Sequence, residues 1–186
     1  MAQDKNLQTI LPEIVSKGLF NNSATLDTFD LDYFGQRIND LKLAFKEDFI
    51  THTLALKANP IRGVIKFAQE MGIGTETASL CETLHALALN IKPSKIVFDS
   101  PCKTKKDLEQ ALQLGVGINL DNEHELSLID DLLKETCKDS KSLIGLRINP
   151  VVGGGVFAFT STATKASKFG LPILPKTKVN RSFQNK

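Results

Sequence analysis

No stretch of this 186-residue chain approaches the roughly 18 consecutive apolar residues of a membrane-spanning helix, which argues against an integral membrane protein. The opening Met1-Ala2-Gln3-Asp4-Lys5-Asn6 has no basic stretch followed by an apolar one, so no secretory signal is read there and a cytoplasmic location is expected. An excess of charge of one sign is also lacking. The formal net charge of +2 is too small to argue for nucleic acid or a membrane surface as partner. The three cysteines, Cys81, Cys102 and Cys137, are odd in number and lack metal-ligand spacing, so reduced structural thiols are expected. His52, His85 and His124 form no ligand pattern either, and no metal site is expected. What is there, 41% apolar and 24% charged residues in a length sufficient for one full domain, is ordinary globular composition.

From Ala24 onward, strand-like and helix-like stretches alternate, the signature of parallel βα units. Leu31, Phe34, Ile38, Leu41 and Phe45 recur at helical spacing and predict a helix with one face on a sheet. His52 to Ala58 is short and mostly apolar, a buried strand closed by Asn59-Pro60. A helix over 61–70, with Val64, Ile65 and Ala68 inward, leads to a strand over 71–78, a helix over 79–89 and a strand over 95–98. Thr104 and Asp107 have capping spacing for the next helix, whose buried stripe is Leu108, Ala111 and Leu112 and whose stop is Gly115. Val116 to Leu120 is the fourth strand, Asp121 the expected cap, and Leu126, Ile129 and Leu133 the inward face of the helix that follows. Leu143 to Ile148 is the fifth strand. The fold class is therefore α/β, with five parallel strands side by side in a curving sheet and all strand exits on one rim.

Function is sought on that rim, where Lys57, Glu76, Ser100, Asp121 and Arg147 stand at or near strand ends. A lysine at the carboxyl end of a parallel strand is a candidate Schiff-base former, because desolvation lowers an ammonium's pKa toward the neutral amine that attacks an aldehyde. It can equally be a strand-end lysine reaching water along its own stem. Ser79 and Glu82 have capping-box spacing, so Glu82 can be a helix-start residue, and Asp121 can be a helix cap. Arg147, inside Leu146-Arg147-Ile148, must find an anion. A lysine, several acids and an arginine around one opening suit an anionic cofactor carrying an aldehyde.

Ala55-Leu56-Lys57-Ala58-Asn59-Pro60, Gly74-Thr75-Glu76-Thr77-Ala78-Ser79, Ile96-Val97-Phe98, Leu114 through Asp121, Leu146-Arg147-Ile148-Asn149-Pro150 and Ser167-Lys168-Phe169-Gly170 follow one another in a set order. In this the chain resembles the alanine-racemase-like, fold-type-III pyridoxal-phosphate decarboxylases, which act on diaminopimelate, ornithine, lysine or arginine. The resemblance covers about residues 24 to 172. It implies a partial TIM (β/α)8 barrel of the pyridoxal-phosphate-binding type, with pyridoxal 5'-phosphate as cofactor and Lys57 as its internal-aldimine lysine. It also implies that Glu76, at a position where the family usually has aspartate, Glu82, near the Schiff base, and Arg147, supporting the cofactor's face, belong to the cofactor site. The reaction implied is loss of carbon dioxide from a basic or diamino acid, with diaminopimelate slightly favoured by the wording of residues 146–150.

A full barrel takes about 250 residues, so its last three strands are expected outside this chain, together with the family's glycine-rich phosphate loop, its ring-stacking histidine and its later β-domain. Gly153-Gly154-Gly155 follows the fifth strand and is not that loop. The expected domains are an amino-terminal extension over 1–23, the partial barrel over 24–172 and a basic, acid-free tail over 173–186. A truncated chain, inactive alone, is the expectation, with a homodimer or a heterodimer with a full-length relative as partner. The alternatives are a non-catalytic decarboxylase-like protein that binds such a relative, or a racemase or cofactor carrier of the same fold.

Overall fold

A computed structural model describes residues 3–19, 25–153, 162–164 and 167–173. The chain divides into two compact units, 1–34 and 35–186. The first holds helix α1 (Gln3–Ser16) and the start of helix α2 (Leu31–Ala44). The Asp30 side chain accepts a hydrogen bond from the Tyr33 amide at 2.8 Å, which satisfies one of the free donors at the start of α2.

The second unit carries the sheet. Strands β1 (Thr53–Ala55), β2 (Gly74–Thr77), β3 (Ile96–Asp99), β4 (Gly117–Leu120) and β5 (Ile144–Leu146) lie in chain order and all pair in parallel. Helices α3 (Arg62–Glu70), α4 (Leu80–Ala88), α5 (Lys105–Leu114) and α6 (Glu123–Glu135) make the four crossovers. The arrangement is a partial TIM barrel. Short connections join the elements, and α4, α5 and α6 each start at a side-chain cap. The Thr104 hydroxyl accepts from the Asp107 amide while the Asp107 carboxylate accepts from the Thr104 amide, and Gly115, at φ 72°, ends α5 in the left-handed region where glycine bears no Cβ penalty.

Registry sorts the strand residues onto two faces. Ile96, Phe98, Ile118 and Leu120 are buried in one apolar cluster with Ile65, Ala86, Leu108, Ala111, Leu112, Ile129 and Leu132 of the helices. The other face carries Thr53 and Ala55 of β1, Gly74 and Glu76 of β2, Val97 and Asp99 of β3, Gly117 and Asn119 of β4, and Gly145 of β5. This inner face is lined by small residues near the strand starts and polar ones near the exits. A Cβ on Gly74 would stand 2.3 Å from the Lys95 carbonyl oxygen, so glycine there is a condition of the β2–β3 approach.

Several expectations shift. Met71 caps α3 and Gly72, at φ 78°, turns the chain, so β2 starts at Gly74 rather than at residue 71. Asn122, not Asp121, caps α6 through its side chain, and Asp121 is buried at the end of β4. The buried face of α6 is Glu125, Ile129 and Leu132, with Leu126 and Leu133 partly buried around it. Within the expected stripe of α2, Ile38 is buried while Leu41 and Phe45 are exposed. The fifth strand breaks at Arg147: after β5, a two-residue strand β6 (Ile148–Asn149) pairs in parallel with β7 (Leu171–Pro172) in a second small sheet. Gly154, Gly155 and the basic residues from 174 onward lie outside the described residues.

Candidate active site

The Leu56 amide donates to the Glu76 carbonyl at 2.9 Å and the Leu56 side chain is fully buried, so the next side chain is turned to the opposite, inner side. That side chain is Lys57. Its Nζ lies 3.8 Å from Glu76 Oε1, with the lysine side chain 60% exposed and the glutamate 15%. At this distance the pair is an ion contact and not a hydrogen bond, and Glu76 Oε1 is buried without a hydrogen-bond partner. Burial pushes the Glu76 carboxyl above the usual carboxylate range; Lys57 and Arg147 pull it down, while Asp99 and Glu82 push it further up.

Arg147 finds its anions. Its Nη1 lies 3.4 Å from Asp99 Oδ1 and 3.5 Å from Asp121 Oδ1, and its guanidinium sits 4.5 Å from the centroid of the Phe169 ring. Asp121 is 3% exposed and its Oδ1 makes no hydrogen bond, so the ion contact to Arg147 is what compensates its charge. Glu82 occupies the third position of α4: its amide donates to Ser79 Oγ and its Oε2 accepts from the Ala78 amide at 2.7 Å. Its cap role is thus real, and its charge still reaches Glu76. The Ser100 hydroxyl is committed to its own loop, donating to the Cys102 carbonyl and accepting from the Cys102 amide.

Two features were not singled out in the sequence. Asp99 shares the inner face with Glu76 because the register pairs Glu76 with Val97; alternation from Val97 was the available signal. Lys103 and Glu125 form an ion pair of 2.8 Å with side chains 0% and 3% exposed. The signal for Glu125 was its spacing of three from Asn122, obscured by the neighbouring Asp121 as a competing cap.

Chemically, the rim offers an exposed primary amine beside a buried carboxyl oxygen that lacks a partner, with an arginine held between two carboxylates. Such an amine can condense with an aldehyde, and the raised carboxyl can hold a proton next to it. Among the described residues no group of histidine, cysteine and acidic side chains could hold a metal ion, and no helix is long and apolar enough to cross a membrane. Cys81, Cys102 and Cys137 are free thiols.

Comparison with known proteins places this geometry in a family. Residues 31–185 match the family profile described as pyridoxal-dependent decarboxylase, pyridoxal binding domain. The diaminopimelate decarboxylase of Campylobacter jejuni is 32% identical over 146 residues, which are 78% of this chain and 36% of that protein. A solved diaminopimelate decarboxylase of Helicobacter pylori, complexed with L-lysine, superposes with a TM-score of 0.71 at 30% identity, over 84% of this chain and 40% of that one. The arginine decarboxylase of Paramecium bursaria Chlorella virus shares the fold, with a TM-score of 0.58 at 19% identity over 81% of this chain and 40% of its own. The chain thus spans little more than a third of the length of the curated relatives it matches. Profile, sequence relatives and superposed barrels agree on the fold, and the chain belongs to the pyridoxal-dependent decarboxylases, matching part of their pyridoxal-binding barrel.

Proposed function

We propose that Lys57 holds pyridoxal phosphate covalently, and that this domain is the cofactor-binding portion of an enzyme that decarboxylates a basic or diamino acid, diaminopimelate first among them. The observation that carries the reading is the Lys57 amine at the exit of β1, 3.8 Å from a buried Glu76 oxygen that has no hydrogen-bond partner. These donors fit the aldehyde end of the cofactor. When bound, the cofactor supplies an electron sink for the carbon that loses carbon dioxide.

The chain's own residues would prepare that chemistry. Lys57 would hold the cofactor through its amine. Glu76, its carboxyl raised by burial, holds or releases a proton beside Nζ. Glu82 adds negative charge from the start of α4 while fixing the turn that follows β2 and its Glu76. Arg147, gripped by Asp99 and Asp121, would support the cofactor's face from the end of β5. Diaminopimelate is supported by the names of the relatives, and binding of an amino acid by the L-lysine complex of the H. pylori structure.

The domain boundaries 1–23, 24–172 and 173–186 belong to this proposal. So does a cytoplasmic setting, which suits three free thiols. A homodimer, or a heterodimer with a full-length relative, is proposed as the assembly.

The test is to mix the purified chain with pyridoxal phosphate, reduce with borohydride and map the adducts by peptide mass spectrometry. A phosphopyridoxyl group on Lys57 in preference to the other lysines, lost in Lys57→Ala, is the expected result. Labelling scattered over the surface lysines would defeat the cofactor assignment.

A further inference from the structure

We infer that Lys103 and Glu125 are positioning residues for the Lys57 site: their buried ion pair fixes Asp121, and Asp121 in turn fixes Arg147 against the inner face. The inference rests on the cofactor site proposed above for its meaning, but its geometry stands independently.

Both carboxylate oxygens of Glu125 are in use. Oε2 lies 2.8 Å from Lys103 Nζ and accepts the Asp121 amide at 2.9 Å, while Oε1 accepts the Lys103 amide at 3.2 Å. Lys103 Nζ also donates to the Ser100 carbonyl at 2.6 Å and sits 5.8 Å from the Phe98 ring centroid. The pair therefore staples the turn after β3 to the turn after β4, using a side chain from each and three backbone groups. Asp121 is the last link before the site, its amide held by Glu125 and its Oδ1 3.5 Å from Arg147 Nη1.

A plain helix-start glutamate needs none of this. Glu82 sits at the equivalent position of α4 and also accepts the amide of the residue before its cap, Ala78. Only Glu125 adds a buried lysine reaching across from the preceding loop. Closing a turn requires one hydrogen bond; fixing two turns relative to one another requires a link between them, and burial of both charges makes that link directional and costly to distort. What differs at the end of β4 is that its terminal carboxylate must meet an arginine from the next strand. Asp99 and Asp121 meet the same Arg147 Nη1 and the Phe169 ring lies against the guanidinium, so Asp121 is one of the two anions that set where this nitrogen stands.

The position of Arg147 can be read without cofactor, through the titration of Glu76. The groups acting on Glu76 are Lys57, Asp99, Glu82 and Arg147, and Arg147 draws its carboxyl down. Carboxyl-carbon NMR titration of the full chain would follow Glu76 in wild type, in Lys103→Met with Glu125→Gln, in Arg147→Met, and in the three combined. The neutral pair removes the ion link; the amide oxygen of Glu125→Gln can keep the bond from the Asp121 N–H while the bond from the Lys103 amide is lost. We expect the Glu76 midpoint to rise in the neutral pair, to rise in Arg147→Met, and to rise no further when they are combined. An unchanged midpoint in the neutral pair, additive shifts, or no response to Arg147→Met would each overturn the inference. Should the neutral pair fail to fold, Glu125→Asp keeps the charge but shortens its reach; the same upward shift supports positioning, and a wild-type midpoint with a lowered melting temperature assigns the pair a structural role alone. Borohydride labelling of Lys57 in the same proteins separates the two readings: loss of selective labelling in wild type defeats the cofactor assignment, while the Glu76 pattern judges the pair.

Discussion

Two lysine–glutamate pairs stand on the same rim, and they are built in opposite ways. Lys103 and Glu125 meet at 2.8 Å with 0% and 3% exposure, and every oxygen of the glutamate is occupied. Lys57 and Glu76 stand 3.8 Å apart with 60% and 15% exposure, and the glutamate oxygen facing the lysine has no hydrogen-bond partner. A closed pair spends its capacity on the protein; an open one keeps an amine and an oxygen free for something else. Residue type alone therefore does not separate a structural lysine from a reactive one. What separates them is whether the backbone around the lysine offers acceptors. Lys103 Nζ finds the Ser100 carbonyl, whereas near Lys57 the Glu76 and Ala55 carbonyls already accept from the Leu56 and Ala58 amides.

The contrast can be broken by changing one partner at a time. Lys103→Met leaves a buried carboxylate without its cation, which should cost about 3–5 kcal/mol of folding stability, measured by urea denaturation. Adding Glu125→Gln to it should return about half or more of that loss, because a neutral buried pair carries no uncompensated charge. Glu76→Gln should act in a pH-dependent way. The Glu76 carboxyl is raised above its ordinary value of 4.5, so its contribution to stability is complete below that value and is lost as pH rises through the raised one. Wild type should therefore lose stability over that interval relative to Glu76→Gln, seen as a divergence of melting temperatures from acid toward neutral pH; parallel curves would contradict the burial of this carboxyl. Lys57→Ala should change stability least, by no more than about 1 kcal/mol, since its ion contact is solvent-facing. A large loss there would show the open pair to be structural after all.

Much of the architecture was legible because buried parallel strands read as short apolar runs between helical stripes. Val64, Ile65 and Ala68, and Leu108, Ala111 and Leu112, are buried as their spacing requires. Thr104, Asp107 and Gly115 bound α5 through local chemistry alone. What was not legible depends on neighbours remote in sequence. Asp121 and Asn122 are adjacent and either could cap α6; in the structure Asn122 does, while Asp121 is buried against Arg147, 26 positions away along the chain. Lys103 and Glu125 look like solvated helix-start charges until β3 and β4 are set side by side. The pairing of Leu171–Pro172 with Ile148–Asn149 is two residues long and includes a proline, too little pattern for periodicity to register. Lys57, Glu76 and Arg147 could be placed on one rim from strand ends, but the register that faces Asp99 toward Arg147 could not.

The order of the sheet is the order of the chain. Each of the four strands after β1 finds a partner in the strand that preceded it, so none of these pairings has to wait for a segment made much later. Assembly can proceed like a zipper as the polypeptide leaves the ribosome, because the entropy of closing each loop is that of a single crossover. At every stage the newest strand is the growing edge. The arginine that completes the charged rim arrives with the fifth strand, after Lys57, Glu76, Asp99 and Asp121 have been laid down, so the rim carries its acids before it receives the cation that gathers them.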